Sequence, residues 1–222
     1  MLSDVVWPEV WQASLSTLYM VAVATVLAVV IGLPIGVLLY LFSKRASVQH
    51  RVVYELLSVI VNIFRSVPFI ILLIALIPFT EWVVGTSIGT NAAIVPLVVG
   101  AAPFYARLAE TALREVDAGV IEAAQSMGAS TWQIVYNVLL PEARPGLISG
   151  VTITAVALIS YSAMAGVVGG GGLGDLAIRY GYERFQTDVM FVTIVIMIVM
   201  VQVMQWIGDR IVASVSRKRS RG

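Results

Sequence analysis

The sequence predicts an all-α polytopic membrane protein with five transmembrane helices, and three observations carry that expectation. Hydrophobic residues make up 59% of the 222-residue chain and charged residues only 12%, about half the charge share of a soluble domain. Mean hydropathy is +0.93. Apolar runs of roughly the 20 residues needed to cross the hydrocarbon core recur at about 15–42, 56–79, 91–108, 147–168 and 189–211.

The runs alternate with short polar loops, with no internal repeat and no linker, so residues 1–222 read as a single membrane domain. Met1-Leu2-Ser3-Asp4 lacks a basic segment, and no cleaved leader is expected. The tail "SRKRSRG" is strongly basic, which places the C-terminus in the cytoplasm and, with five spans, the N-terminus outside. The loops then obey the positive-inside rule: "SKRASVQHR" falls inside, "EWVVGTSIGTN" outside, and about ten of the fourteen Lys and Arg are cytoplasmic. Pro34, Pro68, Pro78, Pro96 and Pro103 punctuate the first three spans, where neighbouring helices can re-satisfy the backbone.

The composition excludes several chemistries. There is no cysteine, hence no disulfide, thiolate metal site or cysteine nucleophile. Lys44 and Lys218 are the only lysines, and neither follows the glycine spacing of a phosphate-cradling loop, so any ATP must be bound by another subunit. His50 has no second ligand or triad partner nearby in the sequence and reads as a solvated loop residue. The run "GGGGLG" at 169–174 contains G-x-G-x-x-G but follows a membrane span rather than a strand, and reads as a flexible external turn. No catalytic residue, metal site, cofactor or nucleic-acid partner is expected for this chain.

Residues 117–146, "DAGVIEAAQSMGASTWQIVYNVLLPEARPG", leave the apolar pattern. Asp117 suits a helix N-cap, and Gly128 the left-handed position that ends a helix. Ser130 and Gln133 match a capping box for a second helix, with Ile134, Val135, Val138 and Leu139 as its apolar face and Pro141 as its stop. Neither helix is long enough to span a bilayer. The small pair Ala123-Ala124 leaves a low-relief surface that fits either an amphipathic connector on the membrane or a docking element for a cytoplasmic partner.

Glu122-Ala123-Ala124, Gly128, Val138 and Leu140-Pro141 together resemble the EAA loop of ATP-binding-cassette importer permeases, with Val138 in place of the usual Ile. The stretches "NIFRSVPFIILLIALIPFT", "VGTSIGTNAAIVPLVVGAAPFYAR" and "YSAMAGVVGGGGLGDLAIRYGY" look like the methionine-uptake permeases of that superfamily, and the similarity covers about residues 10–215. The resemblance implies an inner-membrane permease that pairs with a second copy of itself. Two cytoplasmic ATPase subunits would hold ATP and Mg, and an extracytoplasmic binding lipoprotein would deliver methionine. It makes 117–141 the coupling loop, with Asp117, Glu122, Ala123, Ala124, Gly128, Leu140 and Pro141 contacting or shaping the ATPase contact. Spans two to five would form the core, with span one wrapping it. A permease for another amino acid or a methionine derivative is the alternative.

Two features inside the spans stand out. Span four carries Ser149, Thr152, Thr154, Ser160, Tyr161 and Ser162 with the pair Gly146/Gly150, which suits close helix packing with hydroxyls bonding across helices, or a water-filled path. The resemblance favours the path, with Ser160, Tyr161 and Ser162 along it and Met164 as the gate at the dimer axis. Arg65 lies within span two beside Pro68; an intramembrane charge marks a functional site or a brace for carbonyls freed by the proline, unless it snorkels to the headgroups. Met190, Met197, Met200 and Met204 form one stripe of the last span and read as packing. An intramembrane enzyme would need convergent polar groups, whereas Arg65, Glu81 and Glu110 fall on different spans; a channel would need no ATPase.

Overall fold

The computed structural model describes residues 5–44 and 48–219. The leader reading at 1–4, residues 45–47 of the first basic loop and residues 220–222 of the tail lie outside the described residues. The described residues form eleven α-helices and no strand: α1 Trp7–Lys44, α2 Val48–Ser66, α3 Phe69–Ala75, α4 Ile77–Val84, α5 Thr90–Arg114, α6 Ala118–Ser126, α7 Thr131–Ile134, α8 Leu140–Glu142, α9 Arg144–Ala165, α10 Gly172–Leu176 and α11 Thr187–Arg219. Widened π turns occupy Val135–Leu139 and Ala177–Tyr182.

Four helices (α1, α5, α9 and α11) are long and apolar enough to cross a membrane, and a fifth span exists only if α2 and α3 count as one. The sequence expects a single run over 56–79. Instead the chain bends by 100° between Ser66 and Phe69. Pro68 supplies the cause: it donates no backbone N–H, sits at φ −56° and ψ 132°, and disfavours helix at Val67. After α3 the chain turns again into α4, which ends at Gly85 in the left-handed region.

α5 is the hub, packing against α1, α2, α3, α4 and α9. Its partnership with α1 follows from small residues. Ala24, Ala28, Gly32 and Gly36 recur every fourth position of α1 and are buried, so the two backbones approach closely. A Cβ at Gly32 would lie 2.6 Å from the Ala102 carbonyl oxygen, and one at Gly36 would lie 2.6 Å from that of Ala106. The first span therefore does not wrap a core made by the others. It supplies Met20, Val21, Ala24 and Ala28 to the principal core, alongside Phe69 and Leu73 of α3, Leu97 and Ala101 of α5, and Leu158 and Ile159 of α9.

Because a Cβ at Gly36 would meet the Ala106 carbonyl, the Ala109 Cβ and the Glu110 backbone nitrogen, none of which can rotate away, a side chain there has to push the helices apart. Gly36→Leu is expected to destabilise the protein by about 1–3 kcal/mol or more and to cut the yield of monodisperse protein in detergent. A Gly36→Leu chromatogram like that of the parent would refute this close crossing.

The polar residues of α9 serve its own helix. Thr152, Thr154 and Ser162 donate to the carbonyls of Ile148, Gly150 and Ile159 at 3.2, 2.8 and 2.7 Å. Such back-bonding satisfies a hydroxyl locally, so these three do not make the cross-helix bonds expected of span four. Gly146 and Gly150 do allow the close approach expected of them, facing Ala112, Leu108 and Tyr105 of α5.

Candidate functional site

At one end of the bundle α6, α7 and α8 form a helix–glycine–helix element. Asp117 caps α6, its carboxylate accepting from the Gly119 N–H at 2.8 Å. Gly128 ends it with φ +80°, while the N–H groups of Met127, Gly128 and Ala129 donate to the carbonyls of Ala123, Gln125 and Ala124. The capping box forms as the spacing predicts: the Ser130 hydroxyl accepts from the Gln133 N–H, and the Gln133 side chain accepts from the Ser130 N–H at 2.8 Å. Ile134, Val135 and Leu139 bury into a local core with Val37 and Tyr40 of α1 and Leu113 of α5.

Two expectations here change. Pro141 does not stop the helix. The π turn at Val135–Leu139 widens the coil just before it, so the chain continues through α8 and a single turn residue, Ala143, into α9. The Ala123-Ala124 pair is also split: Ala123 is exposed, whereas Ala124 is buried in the local core. The large apolar side chains that this element leaves exposed are Val120, Met127, Trp132 and Tyr136, with Met127 82% exposed and the two rings stacked at 6.1 Å. They form an exposed apolar patch on the element. Their i, i+4 aromatic pair was the available signal, hidden because the segment reads as polar overall. Glu122 is exposed beside a groove that also includes Lys44 and Gln125, and Leu140 packs at the edge of the local core.

The sequence does not single out the charged cluster where α2 meets α5. Glu110 is buried and pairs with Arg107 at 2.6 Å and with Arg114 at 2.7 Å. Arg107 also donates to the Ser58 hydroxyl and, at 3.1 Å, to the Asn62 side chain of α2; Tyr54 of α2 donates to Glu110 at 3.4 Å. The i, i+3 and i, i+4 spacing of Arg107, Glu110 and Arg114 encodes the pairing. Only the fold shows that it is buried and clamps α2.

The expected path residues do not share one surface. Ser160 and Met164, one turn apart on α9, line an open groove of about 570 Å³ with Met197 and Gln202 of α11. Ser162 faces the protein interior. Tyr161 stacks on Phe69 at 4.5 Å, with the rings 6° from parallel. Arg65 is exposed and lies with Tyr161 at a second cavity between α2, α3, α5 and α9; among the described residues it makes no hydrogen bond or ion pair and braces no carbonyl near Pro68.

The glycine run lies at the other end. Gly169, Gly171 and Gly172 all have positive φ, and the Leu173 N–H donates to the Thr17 hydroxyl of α1 at 2.9 Å. A Cβ at Gly172 would lie 2.6 Å from that oxygen. The run is thus a packed re-entry against α1, not a loose turn. Beside it Arg179 pairs with Asp175 at 2.7 Å, and that hydrogen bond pushes the guanidinium pKa further above its ordinary value. Among the described residues no cluster of His, Asp or Glu is arranged to hold a metal ion.

Apolar spans packed on a central hub and a projecting helix–glycine–helix fit a membrane permease of a transport system. The chain belongs to the family of binding-protein-dependent transport system inner membrane components, whose profile matches residues 32–218. It is 53% identical to the probable D-methionine transport system permease protein MetI of Vibrio cholerae, over 97% of this chain and 94% of that one. It is 51% identical to the methionine import system permease protein MetP of Bacillus subtilis, over 95% of each. Its fold matches the MetNI methionine ABC transporter, solved in an inward-facing conformation, with TM-score 0.91 and 50% identity over 96% of this chain and 99% of that one.

Proposed function

We infer that this chain is the permease subunit of an ATP-driven importer that carries methionine across the inner membrane. The observation that carries this reading is the projecting α6–Gly128–α7 element, capped at both helices and faced with exposed apolar groups, on a chain whose sequence carries no phosphate-cradling lysine loop. The permeases named above, at half identity over nearly the full length, support methionine as the cargo.

In this reading two copies pair, two ATPase subunits bind ATP and Mg, and an external binding protein delivers the amino acid. Five spans, counting α2–α3 as one, put the N-terminus outside and the basic tail and α6–α8 in the cytoplasm, as the distribution of Lys and Arg supports. Asp117 and Gly128 set the geometry of the coupling element, Glu122 and Ala123 sit on its exposed surface, and Ala124, Leu140 and Pro141 join it to the bundle. ATP binding draws the ATPases together and moves these helices with them. The movement shifts the permease between inward- and outward-facing states only insofar as the ATPase contact differs between those states. Reconstitution with its ATPase and binding protein tests the function: uptake of labelled methionine should require ATP, and ATP-driven uptake of a different amino acid in its place would overturn the methionine assignment.

The gate is assigned to Met164, which is 43% exposed on the open face of α9. The chain has no cysteine, so a single Met164→Cys can be cross-linked without background. It is expected to link to its symmetry mate in the nucleotide-free complex, while Ser162→Cys, buried within the protomer, gives no link. Strong linkage at Ser160→Cys and none at Met164→Cys would move the gate.

A further inference from the structure

The cavity holding Arg65 has about 180 Å³ of free volume and lies where the bend at Pro68 opens α2–α3 away from α5 and α9. Its walls are apolar and aromatic: Phe69 and Leu72 of α3, Phe104 of α5, and Tyr161 of α9, which the stack on Phe69 holds in place. Gly100 forms part of the wall about midway along α5. At 1.5 Å of rise per residue the cavity therefore sits near the middle of that span. Into this apolar setting the chain puts one charge. Arg107, Arg114 and Arg179 all have carboxylate partners, whereas Arg65 has none among the described residues. Arg65 is exposed at the edge of the cavity and open to a ligand, and a planar donor fork matches a carboxylate in two parallel hydrogen bonds. The polar residues of α2 below it, Asn62 and Ser58, bond to Arg107.

We propose that this cavity is a binding site within the permease for an amino acid with an apolar side chain, its carboxylate held by Arg65 and its side chain against Phe69, Leu72, Phe104 and Tyr161. The site rests on the importer reading and adds to it a point at which the permease itself recognises cargo. A small pocket in which apolar and aromatic walls meet one charged group is a form that small-molecule sites take, and a thioether suits an aromatic wall. The competing occupant is the headgroup of an anionic lipid; the position midway along α5 and the wall supplied by α9 favour a small solute.

Gly100 provides a way to fill the cavity without touching the charge. A Cβ there would lie 3.4 Å from Phe69 and 3.5 Å from Leu72, an ordinary contact, so Gly100→Val places its further methyl groups in the free volume. The experiment uses the complete permease–ATPase complex in nanodiscs of phosphatidylcholine alone, without the binding protein, and measures bound radiolabelled methionine. Monodisperse assembly with the ATPase controls for folding of every variant. Arg65→Gln is expected to weaken binding at least about tenfold, as losing a charge-assisted hydrogen bond does; Arg65→Lys should retain part of it, and Gly100→Val should lose it with the charge intact. Methioninamide, which lacks the carboxylate, should compete poorly with methionine. Four results would each overturn the site: no methionine bound by the parent complex, equal binding by Arg65→Gln, methioninamide competing as well as methionine, or binding that Gly100→Val leaves unchanged and that anionic lipid added to the nanodiscs abolishes. ATP-driven uptake separates the two levels of inference. Methionine uptake in the parent that Arg65→Gln leaves unchanged removes the site and leaves the importer; no uptake in the parent removes the importer.

Discussion

Gly128→Val is expected to abolish ATP-driven methionine uptake while the permease still inserts and binds its ATPase. Gly128 has φ +80°, and a Cβ there would meet nothing within 4 Å. The substitution therefore fails through the backbone alone. A left-handed conformation costs an ordinary residue roughly 1–2 kcal/mol, and a β-branched one more. The chain escapes by changing φ, which breaks the bonds from Gly128 and Ala129 to the carbonyls of Gln125 and Ala124 and swings α6 relative to α7. The exposed patch of Met127, Trp132 and Tyr136 then no longer presents one surface. Gly128→Asn, which tolerates the left-handed region, should restore much of the uptake. Proteoliposome assays of methionine uptake and ATP hydrolysis report both effects. Equal uptake by Gly128→Val and the parent would mean that the geometry of this turn plays no part in coupling.

Glu110→Ala is expected to destabilise the protein strongly. It removes the carboxylate between Arg107 and Arg114 and leaves Arg107, whose side chain is only 18% exposed, without a counter-charge. Removing one partner of a buried ion pair costs about 3–5 kcal/mol. The two arginines lie at the C-terminal end of α5, where the helix dipole offsets part of that penalty. Glu110→Gln keeps hydrogen-bond acceptance and should cost less. The cluster clamps α2 to α5 at the α6–α8 end, so loosening it should lower the thermal stability of the purified protein and reduce uptake together. A melting temperature unchanged in Glu110→Ala would show that the pairs seen here contribute nothing net to stability.

The capping chemistry of 117–133 was fully legible in the sequence. Asp117, Gly128 and the Ser130/Gln133 box act over three or four residues, and their hydrogen bonds need nothing beyond local backbone geometry. The burial of Ile134, Val135 and Leu139 was legible for a similar reason, since helical spacing puts them on one face. The fate of Pro141 was not. A proline alone reads as a stop, and only the preceding π turn, set by how this face packs on α1 and α5, lets the helix run on.

By itself the sequence determined an all-helical membrane chain, its apolar segments, the helix–glycine–helix that leaves the apolar pattern, and the lack of any phosphate-binding loop. Each of these depends on composition or on short-range periodicity and capping, which act whatever the rest of the chain does. Only the tertiary structure decided which elements meet. It brought α1 into the core through Gly32 and Gly36, bent the second span by 100° at Pro68, buried Glu110 between two arginines, and turned Tyr161 away from Met164 and toward Arg65. These outcomes depend on backbone approach and on helix rotation about the axis. Rotation by a fraction of a turn carries a side chain from one cavity to another while leaving the hydrophobic pattern of the chain unchanged.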